Sequence, residues 1–242
     1  MLKKVSIFFM IIVLSFIFCF SNVYARAGGG TSGGSSGSSS SSSSTRGTRG
    51  HSSGRSNNPF GQLVNGIVFV IFSCSTIIIV KIRLTKAKTK TRKKFKKLKW
   101  DYDEVKKRIE DAYFVIQEAW SNGDMSSAKG YMMPDLLESF QIKLDWQDVA
   151  NKKNIMHDIK LLEFYPVSLI DVPGDEKDII WVYIKGKMVD YIVDMESGQV
   201  IEGSTTDKVF VEFWQFKKNE DSKWALNKIL QENELDKVPL EE

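Results

Sequence analysis

The hydrophobic and polar positions of this 242-residue chain change rhythm three times. Residues 5–20 are almost wholly apolar and follow Lys3 and Lys4. Residues 63–80 form a second apolar run, 18 residues without a charge. From residue 102 the apolar positions recur at spacings of three and four, the period of an amphipathic helix. Beyond about residue 154 apolar and polar positions alternate, the period of a half-buried strand.

The first run reads as a secretory signal peptide over residues 1–25, with Val23 and Ala25 as the small residues before a cleavage point. Left uncleaved, the same segment would be an anchor helix. Cys19 follows Ile17 and Phe18 rather than small residues, so lipid attachment is not expected there. The second run, at 1.5 Å per residue, reaches about 27 Å, enough for a bilayer core. It predicts a transmembrane helix over residues 62–82. Its β-branched stretch at 76–80 suits a helix in lipid better than one in water. Between the two runs, residues 26–61 form a Ser/Gly-rich segment. Positions 28–44 hold 16 Gly or Ser among 17 residues. Such a composition buries too little apolar surface to offset chain entropy and predicts a disordered spacer. Its arginines (46, 49 and 55) leave contact with anionic wall polymers or headgroups as the other reading.

In the remaining residues, 100–242, Asp101 with Glu104 makes a capping-box-like start. Tyr102, Val105, Ile109, Ala112, Ile116, Ala119 and Trp120 then line one face of a helix of about 20 residues. Gly123 is placed to end it. Asp124 is placed to cap a short helix over 125–131, and Pro134 to open a third. The third would bury Leu137, Phe140, Leu144 and Val149. Strands are expected over 155–170, 178–185, 188–194, 209–216 and 224–230, with Gly186 marking a bulge or bend. Turns fall at Pro173-Gly174-Asp175, Glu196-Ser197-Gly198 and 219–222. Helices followed by strands predict an α+β fold, with N-terminal helices packed on a curved antiparallel sheet.

Charge divides the chain at the same place. Residues 1–99 hold 17 Lys and Arg and no acid; residues 100–242 hold the other 17 and all 30 acids, a balance of −13. The formal total of +4 and the pI of 8.8 are therefore no sign of a nucleic-acid-binding globule. Eleven cations lie within 81–99: Lys81, Arg83, Lys86, Lys88, Lys90, Arg92, Lys93, Lys94, Lys96, Lys97 and Lys99. The positive-inside rule places this side of the span in the cytoplasm. A cleaved signal gives an N-terminus outside and a C-terminal domain inside the plasma membrane. An uncleaved signal gives a hairpin with both ends inside. In both cases 100–242 is cytoplasmic, and 83–99 is a basic juxtamembrane stretch beside the lipid bilayer. These 11 residues are candidate contacts for anionic lipid headgroups, with Phe95 and Leu98 dipping into the interface. The same charges serve as a topology determinant. No base-reading pattern accompanies them, and nucleic acid is not an expected partner.

Several motifs then carry a resemblance. Ala119-Trp120-Ser121-Asn122-Gly123-Asp124 ends the first helix. Asp190-Tyr191-Ile192-Val193-Asp194 and Ser197-Gly198-Gln199-Val200-Ile201-Glu202-Gly203 follow. Glu212, Trp214 and Phe216 make a Glu-x-Trp-x-Phe pattern, and Trp224, Leu226 and Ile229 a Trp-x-Leu-x-x-Ile finish. In order and spacing, residues 100–232 resemble the Tim-forty-four-like (Tim44-like) domain family. The resemblance implies a cone-shaped, nuclear-transport-factor-two-like α+β fold with an apolar pocket. It also implies a membrane-anchored, non-enzymatic binding or scaffold protein, bound to a protein partner or lipid and linked to protein translocation. The mitochondrial namesake tethers an import motor and associates with cardiolipin. This chain differs from it in carrying its own signal and span.

No catalytic motif or cofactor-binding pattern stands out. A ketosteroid-isomerase-like use of the fold would need a pocket carboxylate with phenol donors. Asp190, Tyr183 and Tyr191 are of those types. That use, or a small-molecule sensor, is the alternative function. Trp214 and Phe216, with Tyr183 and Asp190, are the candidate pocket or partner residues. His157 is the domain's lone histidine, and the only cysteines are Cys19 and Cys74. No metal site or structural disulfide is expected from these.

Overall fold

A computed structural model of the chain describes residues 59–173 and 177–241, with side chains from residue 77 onward. The expected signal peptide and Ser/Gly segment, and most of the turn at Pro173, fall outside the described residues. The chain divides into two compact units, one ending at Thr85 and the other beginning at Lys86. Helix α1 (Pro59–Leu98) runs through that boundary.

In the first unit, α1 carries the apolar run 63–80 as continuous helical backbone. Among the described residues no helix is long and apolar enough to cross a membrane, but that run has described side chains only from Ile77 onward. Ile77, Ile78, Ile79 and Ile82 are exposed. Thr85 Oγ1 donates to the Lys81 carbonyl at 2.8 Å.

The second unit starts with the basic end of α1, and here the sequence reading needs correction. Ala87, Thr91 and Phe95 recur every fourth residue and are all buried. Phe95 is 1 % exposed and belongs to the main core, edge-on to Tyr102 at 5.2 Å and to Trp100 at 6.0 Å. Leu98 packs against the same core. These two residues are therefore interior, not lipid-facing. Lys99 closes the helix in the left-handed region at φ 58°.

Helix α2 (Tyr102–Asn122) begins as the sequence requires. The Asp101 carboxylate accepts from the N–H groups of Asp103 and Glu104, and Gly123 ends the helix at φ 75°. Its buried stripe contains every apolar position expected except Tyr102, which is half-buried, and adds Tyr113 and Gln117. Asp124 caps a single 3-10 turn, Met125–Ala128, shorter than expected. Helix α3 (Pro134–Val149) buries Phe140 and Leu144. Val149 is 79 % exposed, so its expected burial is not met.

Four strands follow: β1 (Lys152–Ile170), β2 (Ile179–Asp194), β3 (Val200–Lys218) and β4 (Trp224–Gln231). They pair antiparallel in sequence order. Three register shifts break the β1–β2 ladder, at 157–160, 161–163 and 166–168. Each adds local bend and twist. The bulge expected at Gly186 falls on its partner strand: the β1–β2 ladder shifts register between Leu161, which pairs with Gly186, and Glu163. β2 itself is one strand there, and its register with β3 is unbroken from Ile179 to Met188. The missing side chain also admits two rings. A Cβ on Gly186 would lie 2.5 Å from Tyr113 Oη and 2.9 Å from Phe210 Cε1.

Alternation sorts the sheet into two faces. Ile180, Val182, Ile184, Phe210, Trp214 and Phe216 meet the helices in the main core. The other face carries Tyr165, Trp181, Tyr183 and Phe213, of which all but Tyr183 are buried. A C-terminal segment follows β4. It forms a 3-10 turn (Glu232–Lys237) and ends on buried Val238. Glu241 pins it to β1: its N–H donates to the Val167 carbonyl and its carboxylate accepts from the Leu169 N–H at 3.1 Å.

Candidate functional site

The penultimate strand sets the hydrophobic centre. Trp214 and Phe216 are fully buried, with ring centroids 6.2 Å apart, and Tyr113 lies 5.6 Å from Trp214. Glu212 is buried on the same strand face. Its carboxylate accepts from Trp214 Nε1 at 2.9 Å and from Gln231 Nε2 at 3.1 Å. A buried carboxylate needs such donors, so the Glu-x-Trp pair works as an internal polar tie between β3 and β4. Trp214 and Phe216 are walls of a closed core here and line no opening.

The other residues singled out from the sequence do not converge. Asp190 pairs with Met156 and so faces the helices; its Oδ1 accepts from Asn154 Nδ2 at 2.9 Å. Tyr183 lies on the opposite face, stacked on Tyr165 at 4.8 Å. Alternation puts Tyr191 on that face too. Burial raises the Tyr183 phenol above its ordinary pKa, with the Glu163 and Glu232 charges adding to the effect. Tyr165 is raised further by burial first, then by Tyr183 and Glu163. Both phenols stay neutral donors. His157 is exposed, with Nδ1 2.8 Å from Asp158 Oδ2. Among the described residues no group of three or more His, Cys, Asp or Glu is placed to hold a metal ion.

The 11 cations of the basic stretch are divided by their partners. Lys94 turns into the domain, where Nζ donates to the Leu169 carbonyl at 2.6 Å and to Glu241 Oε1 at 2.7 Å. Lys88 lies 3.4 Å from Glu163 and 4.1 Å above the Tyr165 ring. Arg92 lies 5.8 Å over Tyr102. Lys81, Arg83, Lys86, Lys90, Lys93, Lys96, Lys97 and Lys99 are exposed.

One surface escapes a reading based on a single apolar stripe. Helix α3 has a second apolar face, pointing outward: Ile142, Trp146 and Val149, at 46, 68 and 79 % exposure. These positions are spaced i, i+4, i+7, so they share one side of the helix. Exposed Met195 extends the patch; its N–H donates to the Asn151 carbonyl just beyond the helix end. A groove of about 470 Å³ runs beside it, lined by Trp120, Leu144, Asp145, Asp148, Asn154 and Met195 among others. The α3 sequence carries Asp135, Glu138, Asp145 and Asp148 against one cation, Lys143. The signal for this face was present in the sequence. With Leu137, Phe140, Leu144 and Val149 read as the inward face, Ile142 and Trp146 are the two large apolar positions of the helix left over.

A comparison with family models decides the identity. The model for the Tim44-like domain matches residues 87–231, about three-fifths of the chain. This chain belongs to the Tim44-like domain family. The match opens beside Lys86, where the compact unit begins, so the Tim44-like domain includes the buried end of α1. No curated protein matches the chain. Among solved structures it is similar to the intermembrane-space region of the chloroplast protein ARC6, at 9 % identity and a TM-score of 0.36, covering 54 % of this chain and 95 % of that one. It is also similar to a ketosteroid-isomerase-like protein from Erwinia carotovora atroseptica, at 12 % identity and a TM-score of 0.29, over 50 % and 89 % of the two chains. A third is a putative dehydratase of the NTF2-like family from Streptomyces avermitilis, at 14 % identity and a TM-score of 0.30, over 52 % and 94 %. Likenesses this distant carry no functional argument.

Proposed function

We propose that this Tim44-like protein is a membrane-anchored, non-enzymatic binding module that docks a protein partner at the inner face of the plasma membrane, in the service of protein translocation. In this reading residues 62–82 span the bilayer, and the cations after Val80 fix the domain on the cytoplasmic side and rest near anionic headgroups. The observation that carries it is the outward stripe Ile142–Trp146–Val149 on α3. Large apolar side chains held in a row on a folded surface mark an interaction site more often than a packing remainder. Trp is also the residue type most enriched among binding hot spots.

The occupant is a basic amphipathic segment of a membrane-associated protein. Its apolar side meets Trp146 and Val149, and its cations meet Asp145 and Asp148 at the rim, setting orientation and encounter rate. The support for this choice is charge complementarity with the acidic helix.

The test is a photo-crosslinking residue at position 146 of the full chain in its own membrane. Adducts should map to a basic, amphipathic peptide and vanish in the Asp145→Lys/Asp148→Lys variant. Adducts that are acidic or uncharged, or that survive the charge reversal, overturn the reading.

A further inference from the structure

The segment after β4 holds to the domain at two points with little between them. Its 3-10 turn, Glu232–Lys237, buries none of its residues. The turn's own bonds, from Glu234 to the Gln231 N–H and to Lys237, stay within the segment and the end of β4. Val238 is then buried, and Glu241 reaches the edge of β1. A strap with an exposed middle gains little to set against the cost of ordering it. Such segments open locally while the rest of the fold stays closed.

Glu241 meets a complete carboxylate clamp. Its Oε1 accepts from the Leu169 N–H at 3.1 Å and from Lys94 Nζ at 2.7 Å, while its own N–H donates to the Val167 carbonyl. Every part of the clamp comes from α1 and β1. Val167 is the extra residue of a bulge, between the pairs Pro166–Val182 and Ser168–Trp181, so no β2 residue stands opposite it. Lys94 is steered inward by the Leu169 carbonyl, which accepts from Nζ at 2.6 Å. Both backbone groups of Leu169 thereby serve the clamp. With the tail away, an inward ammonium and a strand-edge N–H are left facing a vacated acceptor position.

We infer that this clamp is a peptide-binding site closed by the chain's own tail, and that it takes an extended segment of another protein carrying an apolar residue and, three positions later, a glutamate. The seated tail supplies the pattern. Val238 fills the apolar seat, the Glu241 N–H pairs with the strand edge, and the Glu241 carboxylate takes the charge-assisted bonds. A bare anion would fill the clamp but leave the Val167 carbonyl and the Val238 seat unused, so the selective ligand is a peptide. The tethered tail competes at an effective concentration of about millimolar. An outside segment therefore binds well only when the tail is released. The site does not depend on the partner proposed for α3, and its ligand carries the opposite charge.

The experiment uses the full chain in a non-ionic detergent and fluorescence polarisation with two labelled peptides, blocked at both ends. One has the sequence of residues 237–242. The other keeps only the valine and the glutamate three positions on, among glycines and serines. A form of each with glutamine at that glutamate is the control. Glu241→Gln takes a charge-assisted bond from the tail's own hold, so both glutamate peptides should bind this variant about tenfold more tightly than the parent. In the same background Lys94→Gln should weaken them about tenfold, and Lys129→Gln, at an exposed lysine outside the clamp, less than twofold. A chain ending at Lys237 should bind at least as tightly as Glu241→Gln, which keeps the test decisive if the shortened chain fails to fold. The inference is overturned if neither glutamate peptide binds at millimolar concentration, or if the parent and Glu241→Gln bind alike. It is also overturned if the glutamine forms bind as well as the glutamate forms, or if Lys94→Gln changes nothing. Binding of the tail-sequence peptide alone overturns it too, since the seat would then be a lock for this tail only.

Discussion

Replacing Gly186 by alanine adds one carbon at a crowded point of the sheet. That carbon would lie 2.5 Å from Tyr113 Oη and 2.9 Å from Phe210 Cε1, against an ordinary carbon contact of about 3.5 Å or more. Both rings would have to retreat by about 1 Å. Neither has room, since Tyr113 is fully buried and packed against Trp214, and Phe210 is buried in the same cluster. The strand cannot yield either, being paired at this residue to Leu161 on one side and Phe210 on the other. Overpacking of this kind costs about 1–3 kcal/mol. The loss of unfolded-state freedom on Gly→Ala returns about 0.4–1 kcal/mol. The net expectation is a destabilisation of about 1–2 kcal/mol, or a fall of about 3–6 °C in melting temperature for a unit of this size. All six tryptophans lie in the sheet-bearing unit, so tryptophan fluorescence of the full chain during urea unfolding reads this region directly. Phe210→Leu should be less harmful in the Gly186→Ala background than in the parent, because it clears part of the clash. A Gly186→Ala variant as stable as the parent, or additive behaviour of the two changes, would refute the close-approach argument.

Phe95→Ala is expected to cost about 3–5 kcal/mol, because it empties a fully buried core position, and urea unfolding measures it. A change below about 1 kcal/mol would return Phe95 to the membrane interface. Gln117 is fully buried on α2, and its amide has no hydrogen-bond partner among the described residues. Gln117→Leu should therefore raise stability by about 1 kcal/mol, and a clear loss would show that the amide is satisfied in solution. Asp194 holds the turn between β2 and β3. Its carboxylate accepts from the Ser197 N–H and hydroxyl and from the Glu196 N–H, and these bonds depress its pKa below the ordinary Asp value. A depressed carboxylate contributes stability that is present above its unfolded pKa and lost as pH falls through the folded one. Hydrogen exchange at Ser197 and Gly198 should accelerate below about pH 4, earlier in the pH scan than in the strands. Exchange that is flat down to pH 2 would contradict this.

The local grammar of the domain was legible because short-range rules act alone at those points. Asp101 and Gly123 bound α2, and Asn219 turns the chain into β4 by accepting from the N–H groups of Asp221 and Lys223. The alternation in β3 correctly put Glu212, Trp214 and Phe216 on one face. What escaped depends on contacts between distant segments. The end of α1 reads as a solvated charge run, because its buried stripe is one alanine, one threonine and one phenylalanine among lysines. Only the docked sheet makes that stripe interior. Gly186 carries the same local signal whether a strand bends or a ring lies over it. The tail after Gln231 is mostly polar, and its role rests on Val238 and on Glu241 reaching Lys94 and β1. Asp190 and Tyr183 are seven residues apart on one strand, so parity places them on opposite faces, and the count holds because the extra residues of the neighbouring bulges lie on β3 and β1 rather than on β2. The apolar run at 63–80 speaks for itself in sequence, and the membrane placement built on it stands as a proposal.

The most direct test of the proposed function is a binding measurement on the α3 face. The full chain would be titrated with a fluorescent basic amphipathic peptide and with the same peptide carrying acids in place of its cations. The account expects saturable binding of the basic peptide only. Trp146→Ser should weaken it by about tenfold or more while leaving the melting temperature unchanged, since Trp146 is mostly exposed. Equal binding of both peptides, or basic-peptide binding indifferent to Trp146→Ser, would contradict it.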